Sequence, residues 1–214
     1  MISLPETNRF TRQGILNLKQ VFTNYGVVLK NRTFLRYTLA TGMGFSAIIA
    51  YATINPYLLQ TQLSLSPQQY GFWAAMGGSG LLVGMLVNSR MADYVTINFM
   101  LKLGLCMLTA MGIVLAICGS LQIISVAWII VPTFFMSLGI AFIFPNASIG
   151  ALAPFPKIAG AAGALYGCAQ IMVSSGVSLI VMRMSETSQL PMGILMTALG
   201  GIGLLGYWLL TIGE

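Results

Sequence analysis

YTLATGMGFSAIIAYATINPYLLQTQLSLSPQQYGFWAAMGGSGLLVGMLVNS, residues Tyr37–Ser89, runs for 53 residues without one Asp, Glu, Lys or Arg. A second uncharged run, Leu103–Pro156, lasts 54 residues. A helix needs about 20 mostly apolar residues to cross ~30 Å of hydrocarbon, so each run is long enough for two crossings and a short turn. Two shorter uncharged runs, Ile158–Met182 and Thr187–Gly213, hold one crossing each. The pattern predicts an all-α, polytopic membrane protein with six transmembrane helices at about 35–60, 69–88, 97–118, 124–148, 160–183 and 190–212. Barrel strands would instead read as ~10-residue alternating segments.

Composition agrees. Charged residues make up 7% of the chain and hydrophobic ones 57%, against about 25% charged in soluble domains. The formal charge of +6 carries no nucleic-acid signal here. Six of the ten basic residues (Arg9, Arg12, Lys19, Lys30, Arg32 and Arg36) precede the first crossing. Basic residues beside a span mark the cytoplasmic side. With the N-terminus inside, alternation also puts Arg90, Lys102 and Lys157 inside and leaves only Arg183 outside. The expectation is a multi-pass protein of the inner (plasma) membrane with both termini cytoplasmic.

Residues 1–33 read as a cytoplasmic linker and 34–214 as the six-helix bundle. Leu18, Val21, Phe22, Tyr25, Val28 and Leu29 fall at helical spacing with Lys19, Gln20, Asn24, Lys30 and Asn31 elsewhere, an amphipathic helix that either lies on the membrane surface or packs on the bundle's cytoplasmic ends. No 7–15-residue apolar core precedes Arg36, so the start is not a signal peptide.

No histidine is present, which removes the usual metal ligands, a Ser/His/Asp triad and any His relay. Cys106, Cys118 and Cys168 lie in apolar segments without CxxC spacing and read as small buried hydrophobes. No cofactor is expected, and an intramembrane enzyme has no catalytic set to draw on. Trp73, Trp128 and Trp208 fall at or near span ends, where interfacial anchoring is the default. Three small-residue stripes (Gly77, Gly80, Gly84; Gly160, Gly163, Gly167; Gly200, Gly203) favour close helix approach, assigned to packing within the bundle. Pro56, Pro132 and Pro145 fall inside spans and favour kinks.

The stretch PNASIGALAPFPKIAGAAGALYGCAQ (Pro145–Gln170) resembles the tenth-to-eleventh helix connection of drug/proton antiporters of the major facilitator superfamily, nearest to the Bcr/CflA type. LPET (Leu4–Thr7) resembles the segment after that family's sixth helix. NRTFLRYTLATG (Asn31–Gly42) resembles the entry to its seventh, and INPYLLQTQLSLSPQQYGF with NSR (Ile54–Phe72, Asn88–Arg90) its seventh and eighth helices. The match covers the C-terminal six-helix half. The family's Gly-Asp-Arg-Gly loop, the basic residue of its fourth helix and its Gly-Pro-rich fifth have no counterpart; SRMADY (Ser89–Tyr94) is at best a degenerate echo of the loop.

The resemblance implies half of a proton-coupled multidrug efflux antiporter, whose carboxylates lie mainly in the other half. No charged residue is set in the middle of any span here, Lys102 and Arg183 sitting near span ends, so coupling cannot reside in these residues. It also implies that the first and fourth helices face a central cavity, while the second and fifth line the contact between halves. Substrate-binding candidates carried over this way are Tyr51, Asn55 and Tyr57 on the first helix, Phe135, Phe142 and Asn146 on the fourth, and Tyr166 and Gln170 on the fifth. Aromatic walls with a few amides suit small amphipathic or cationic compounds. The alternative use for these polar groups is hydrogen bonding between helices. The expected partners are the bilayer, a small-molecule substrate, and an N-terminal six-helix bundle or a second copy. A membrane structural or interaction protein, or a non-transporting remnant of a truncated transporter gene, is the competing expectation.

Overall fold

The computed structural model describes residues 18–184 and 188–212. Predictions resting on Leu4–Thr7, Arg9 and Arg12 lie outside the described residues, as do the side chains of Leu18, Lys19 and Gln20. Seven α-helices follow in order: α1 Leu18–Leu29, α2 Arg32–Pro56, α3 Pro67–Met91, α4 Ile97–Ser120, α5 Val126–Leu152, α6 Ala159–Val181 and α7 Leu190–Ile212. The last six are long and apolar enough to cross a membrane, and no strand occurs among the described residues.

Local chemistry sets the helix starts. Asn31 caps α2 by accepting from the Phe34 amide at 2.9 Å. Ser66 and Gln69 form a reciprocal capping box ahead of α3, at 3.3 and 3.0 Å, with Pro67 at the first helical position. Thr96 and Ser125 cap α4 and α5 one way, their hydroxyls accepting from the Phe99 and Trp128 amides at 3.4 Å each. Pro56 ends the regular ladder of α2. The chain then continues as a wider π-helical turn, Tyr57–Gln62, in which the Leu63 amide reaches back five residues to the Leu58 carbonyl at 3.3 Å. Pro132 and Pro145 are accommodated inside a single continuous α5.

α2 and α5 are the most buried spans, while α3 and α6 are the least. α4 packs along both α5 and α7, α3 lies against α5, and α2 touches α5, α6 and α7. The stripe Gly77, Gly80, Gly84 turns to α5: a Cβ on Gly84 would stand 2.8 Å from the Leu138 carbonyl oxygen, so only glycine permits this approach. Gly200 and Gly203 lie against Thr109 and Leu105 of α4. The third stripe behaves differently from the expectation. Around Gly160, Gly163 and Gly167 no neighbour stands within 4 Å of an added Cβ, so this face of α6 takes no part in packing the bundle.

Cys118 is buried as expected, but Cys106 and Cys168 are exposed. The reason is general to lipid, where the outer face of a span is as apolar as its inner face, so a cysteine in an apolar run has no preference for the inside. α1 packs on the bundle through Val28, which is fully buried in the core beside Phe34 and Tyr37, whereas Phe22 and Leu29 are exposed.

Helix alternation gathers Arg36, Lys102 and Lys157 at one end of the bundle. Phe34 meets Phe155 edge-on at 6.1 Å there, and Tyr37 of α2 meets Tyr207 of α7 at 5.8 Å. Arg183, just past the end of α6, lies at the opposite end.

Candidate functional site

Between α2, α3 and α5 lies a cavity of about 200 Å³, lined by Ala47, Ile48, Tyr51, Gly78, Leu81, Thr133, Met136, Ser137 and Ile140. Its walls are apolar except for three hydroxyls. Tyr51 projects from α2; Thr133 and Ser137, one turn apart, project from α5. The Tyr51 hydroxyl is buried beside Thr133 without a hydrogen bond of good geometry. The Thr133 hydroxyl already donates to the Ile129 carbonyl at 2.7 Å. Gly77 makes room for the group: a Cβ there would be 3.3 Å from the Tyr51 hydroxyl and 3.2 Å from the Thr133 methyl.

One helical turn beyond Tyr51, Asn55 is fully buried at 0% exposure, and neither its amide oxygen nor its amide nitrogen has a hydrogen-bond partner. Burying an unsatisfied polar group costs roughly 1–3 kcal/mol, and Asn55 stands directly before Pro56 and the π turn. Tyr57 is half-buried at the start of that turn.

The other candidates fall in separate places. The Tyr166 hydroxyl of α6 pairs with Thr41 of α2 at 2.7 Å, and Gln170 is placed beside the same hydroxyl. Asn146 of α5 donates to Asn88 of α3 at 2.6 Å and to the Phe142 carbonyl at 2.7 Å. Phe142 is buried against Gly104 of α4. Phe135 is exposed and lines an apolar groove between α4 and α5 together with Met111, Val114, Trp128 and Val131. The eight residues therefore form no single pocket. Tyr51 lines the cavity with Asn55 on its helical face, Tyr166 and Gln170 stand together at the α2–α6 contact, and Asn146 ties α3 to α5.

Thr133, Ser137, Thr41 and Asn88 are not among the candidates the sequence offers. Thr133 and Ser137 do carry a signal, because two hydroxyl residues four apart in a largely apolar helix share one face. Thr41 and Asn88 carry no such signal, since their partners lie 125 and 58 residues away. Among the described residues no group of His, Cys, Asp and Glu is arranged to hold a metal ion.

No family model matches the chain. It is 24% identical, over 97% of its length, to the bicyclomycin resistance protein homolog of Haemophilus influenzae, of which it covers 52%. Over 87% of its length it is 27% identical to YdgK, an uncharacterized MFS-type transporter of Bacillus subtilis, covering 46% of that protein. Over 85% it is 27% identical to multidrug resistance protein D of Escherichia coli, covering 45%. The chain is thus a relative of the major facilitator multidrug transporters, a class of polytopic transport proteins rather than enzymes. It spans about half the length of these relatives, consistent with a C-terminal half.

Proposed function

We propose that this chain is the C-terminal half of a proton-coupled multidrug efflux antiporter, working by alternating access against an N-terminal six-helix bundle. Both termini lie in the cytoplasm, residues 1–33 form the linker, and residues 34–214 form the bundle. The substrate class is small amphipathic compounds, which suit the aromatic and amide side chains the resemblance places on the path; two relatives are named for bicyclomycin resistance and for multidrug resistance.

The observation that carries the proposal is the uneven covering of the helices. α3 and α6 are the least buried spans, and the Gly160–Gly163–Gly167 face of α6 is open. These are the two helices that the family resemblance assigns to the contact between halves. Polar groups of α2 and α5, chiefly Tyr51, Asn55, Thr133 and Ser137, would then face substrate from one side of the path. Proton coupling belongs to the other bundle, because the described spans carry no carboxylate in their interior.

Co-expression tests this. The chain together with a matching N-terminal bundle should restore proton-gradient-dependent dye efflux in a pump-deficient bacterial host, and neither part should do so alone. Equal efflux from the chain by itself would reject the half-transporter reading in favour of a self-sufficient assembly.

A further inference from the structure

The cavity between α2, α3 and α5 is walled by this chain alone and lined by no charged residue. Its three hydroxyls are not equivalent. The Thr133 proton is committed to the Ile129 carbonyl at 2.7 Å, so that oxygen can only accept. The Tyr51 hydroxyl, beside Thr133, has no partner of good geometry. Ser137, one turn along α5, makes no hydrogen bond among the described residues. The protons of Tyr51 and Ser137 are thus uncommitted and can donate into the cavity. α3 sets where they stand: a Cβ on Gly77 would lie 3.3 Å from the Tyr51 hydroxyl, and one on Gly80 would lie 3.1 Å from the Ser137 Cβ. Positions three apart are neighbours on a helix, so both hydroxyls fall along about one turn of α3.

Size and charge narrow the ligand. The volume is about 200 Å³, room for one substituted benzene ring, since an apolar cavity of ~150 Å³ takes up benzene. Ala47, Ile48, Leu81, Met136 and Ile140 supply apolar walls for the ring. A charge buried here would have no counter-charge, and its desolvation would cost more than two hydroxyls return. Gly78 also lines the space, and an added Cβ there meets nothing within 4 Å, so the cavity reaches the α3 backbone.

We infer that this cavity binds a neutral, single-ring aromatic compound bearing one carbonyl oxygen. The oxygen accepts from Tyr51 and Ser137, and the ring packs among the aliphatic side chains. Ketones, esters and amides of this size qualify; amines protonated at neutral pH do not. The inference rests on the half-transporter reading only in making the ligand a substrate. Binding itself needs no second bundle, because every lining residue belongs to this chain.

The test photolabels the full chain, reconstituted in bilayer discs, with para-azidoacetophenone and maps the labelled peptides by mass spectrometry. Label should concentrate on the α3 and α5 segments that line the cavity, and excess acetophenone should suppress it. Ethylbenzene, the same ring without the carbonyl, should compete about two- to ten-fold less well, the value of a hydrogen bond. Benzylamine, a cation at neutral pH, should not compete. Gly78→Leu fills the space without a clash and should abolish the labelling, whereas Gly201→Leu, at an equally open position on α7, should leave it unchanged. Tyr51→Phe combined with Ser137→Ala removes both donors and should erase the advantage of acetophenone over ethylbenzene; this pair decides the matter if Gly78→Leu does not fold. Benzylamine competing as well as acetophenone, labelling that survives Gly78→Leu in a folded protein, or a donor-free variant that still favours acetophenone would each overturn the proposal. Acetophenone efflux by the complete two-bundle assembly tests the substrate role separately. Labelling without efflux would reject the half-transporter reading and uphold the site; efflux without labelling would uphold that reading and overturn the site.

Discussion

Asn146 on α5 and Asn88 on α3 are joined side chain to side chain, the Asn146 amide donating to Oδ1 of Asn88 at 2.6 Å. The bond closes the end of a helix pair in which Gly80 and Gly84 of α3 come close to the Phe134 and Leu138 carbonyls of α5. It adds a specific polar contact to a close approach set by shape. Its value should match interhelical hydrogen bonds in lipid, about 0.6 kcal/mol on average and ~1.7 at most. A double-mutant cycle with Asn88→Ala and Asn146→Ala, read by denaturant unfolding in detergent, should return a coupling in that range. Strictly additive losses would show that the pair contributes nothing.

The glycine stripes of α3 and α6 should separate by stability. Gly84→Leu drives a side chain into the Leu138 carbonyl and the Ala141 methyl of α5, and overpacking of this kind costs about 1–3 kcal/mol. Gly163→Leu meets nothing within 4 Å, so its melting temperature in detergent should stay near wild type. In a complete transporter the order should reverse in kind. Gly163→Leu, stable by itself, should block assembly with the N-terminal bundle, read as loss of co-purification.

Asn55 should trade stability against function. Replacing its unsatisfied amide by Leu removes a burial cost of roughly 1–3 kcal/mol, so Asn55→Leu should unfold at the same or higher denaturant concentration. Dye efflux by the complete two-bundle assembly should fall. A variant that is both less stable and fully active would assign Asn55 to packing.

Tyr51 and Thr133 should act on substrate affinity rather than on folding. Tyr51→Phe keeps the ring and removes a buried hydroxyl that makes no good hydrogen bond, so its melting temperature should change little. If the cavity belongs to the substrate path, dye affinity should drop for compounds that present a hydrogen-bonding group and hold for purely apolar ones. A hydroxyl–acceptor pair contributes about 0.5–1.5 kcal/mol, or a few-fold in affinity.

Dye bound to the isolated chain should show no proton competition between about pH 5 and 8. No histidine exists in the sequence, and no carboxylate lies inside a described span, so nothing there changes charge in that window. Fluorescence titrations of dye on the reconstituted chain at several pH values would check it. Release of dye on acidification would place a coupling group in this half.

The number and length of the crossings were legible from the string of residues because spanning a bilayer is a one-dimensional requirement. Runs such as Tyr37–Ser89 and Leu103–Pro156 meet it whatever their neighbours are. Caps such as Ser66 with Gln69 and the break at Pro56 were equally local. The facing of each helix was not. In water an amphipathic stripe points to the core, but in lipid both faces of a span are apolar. That is why Cys106 and Cys168 prove exposed, why Gly160, Gly163 and Gly167 look outward while Gly77, Gly80 and Gly84 look inward, and why Phe135 and Phe142, two turns apart on α5, part company. The pairings Asn146–Asn88, Tyr166–Thr41 and Arg36–Tyr207 join residues far apart in the chain. Only the packed bundle brings them together, because in an apolar solvent it is shape and a few long-range polar contacts, not hydrophobicity, that choose one helix's neighbour over another.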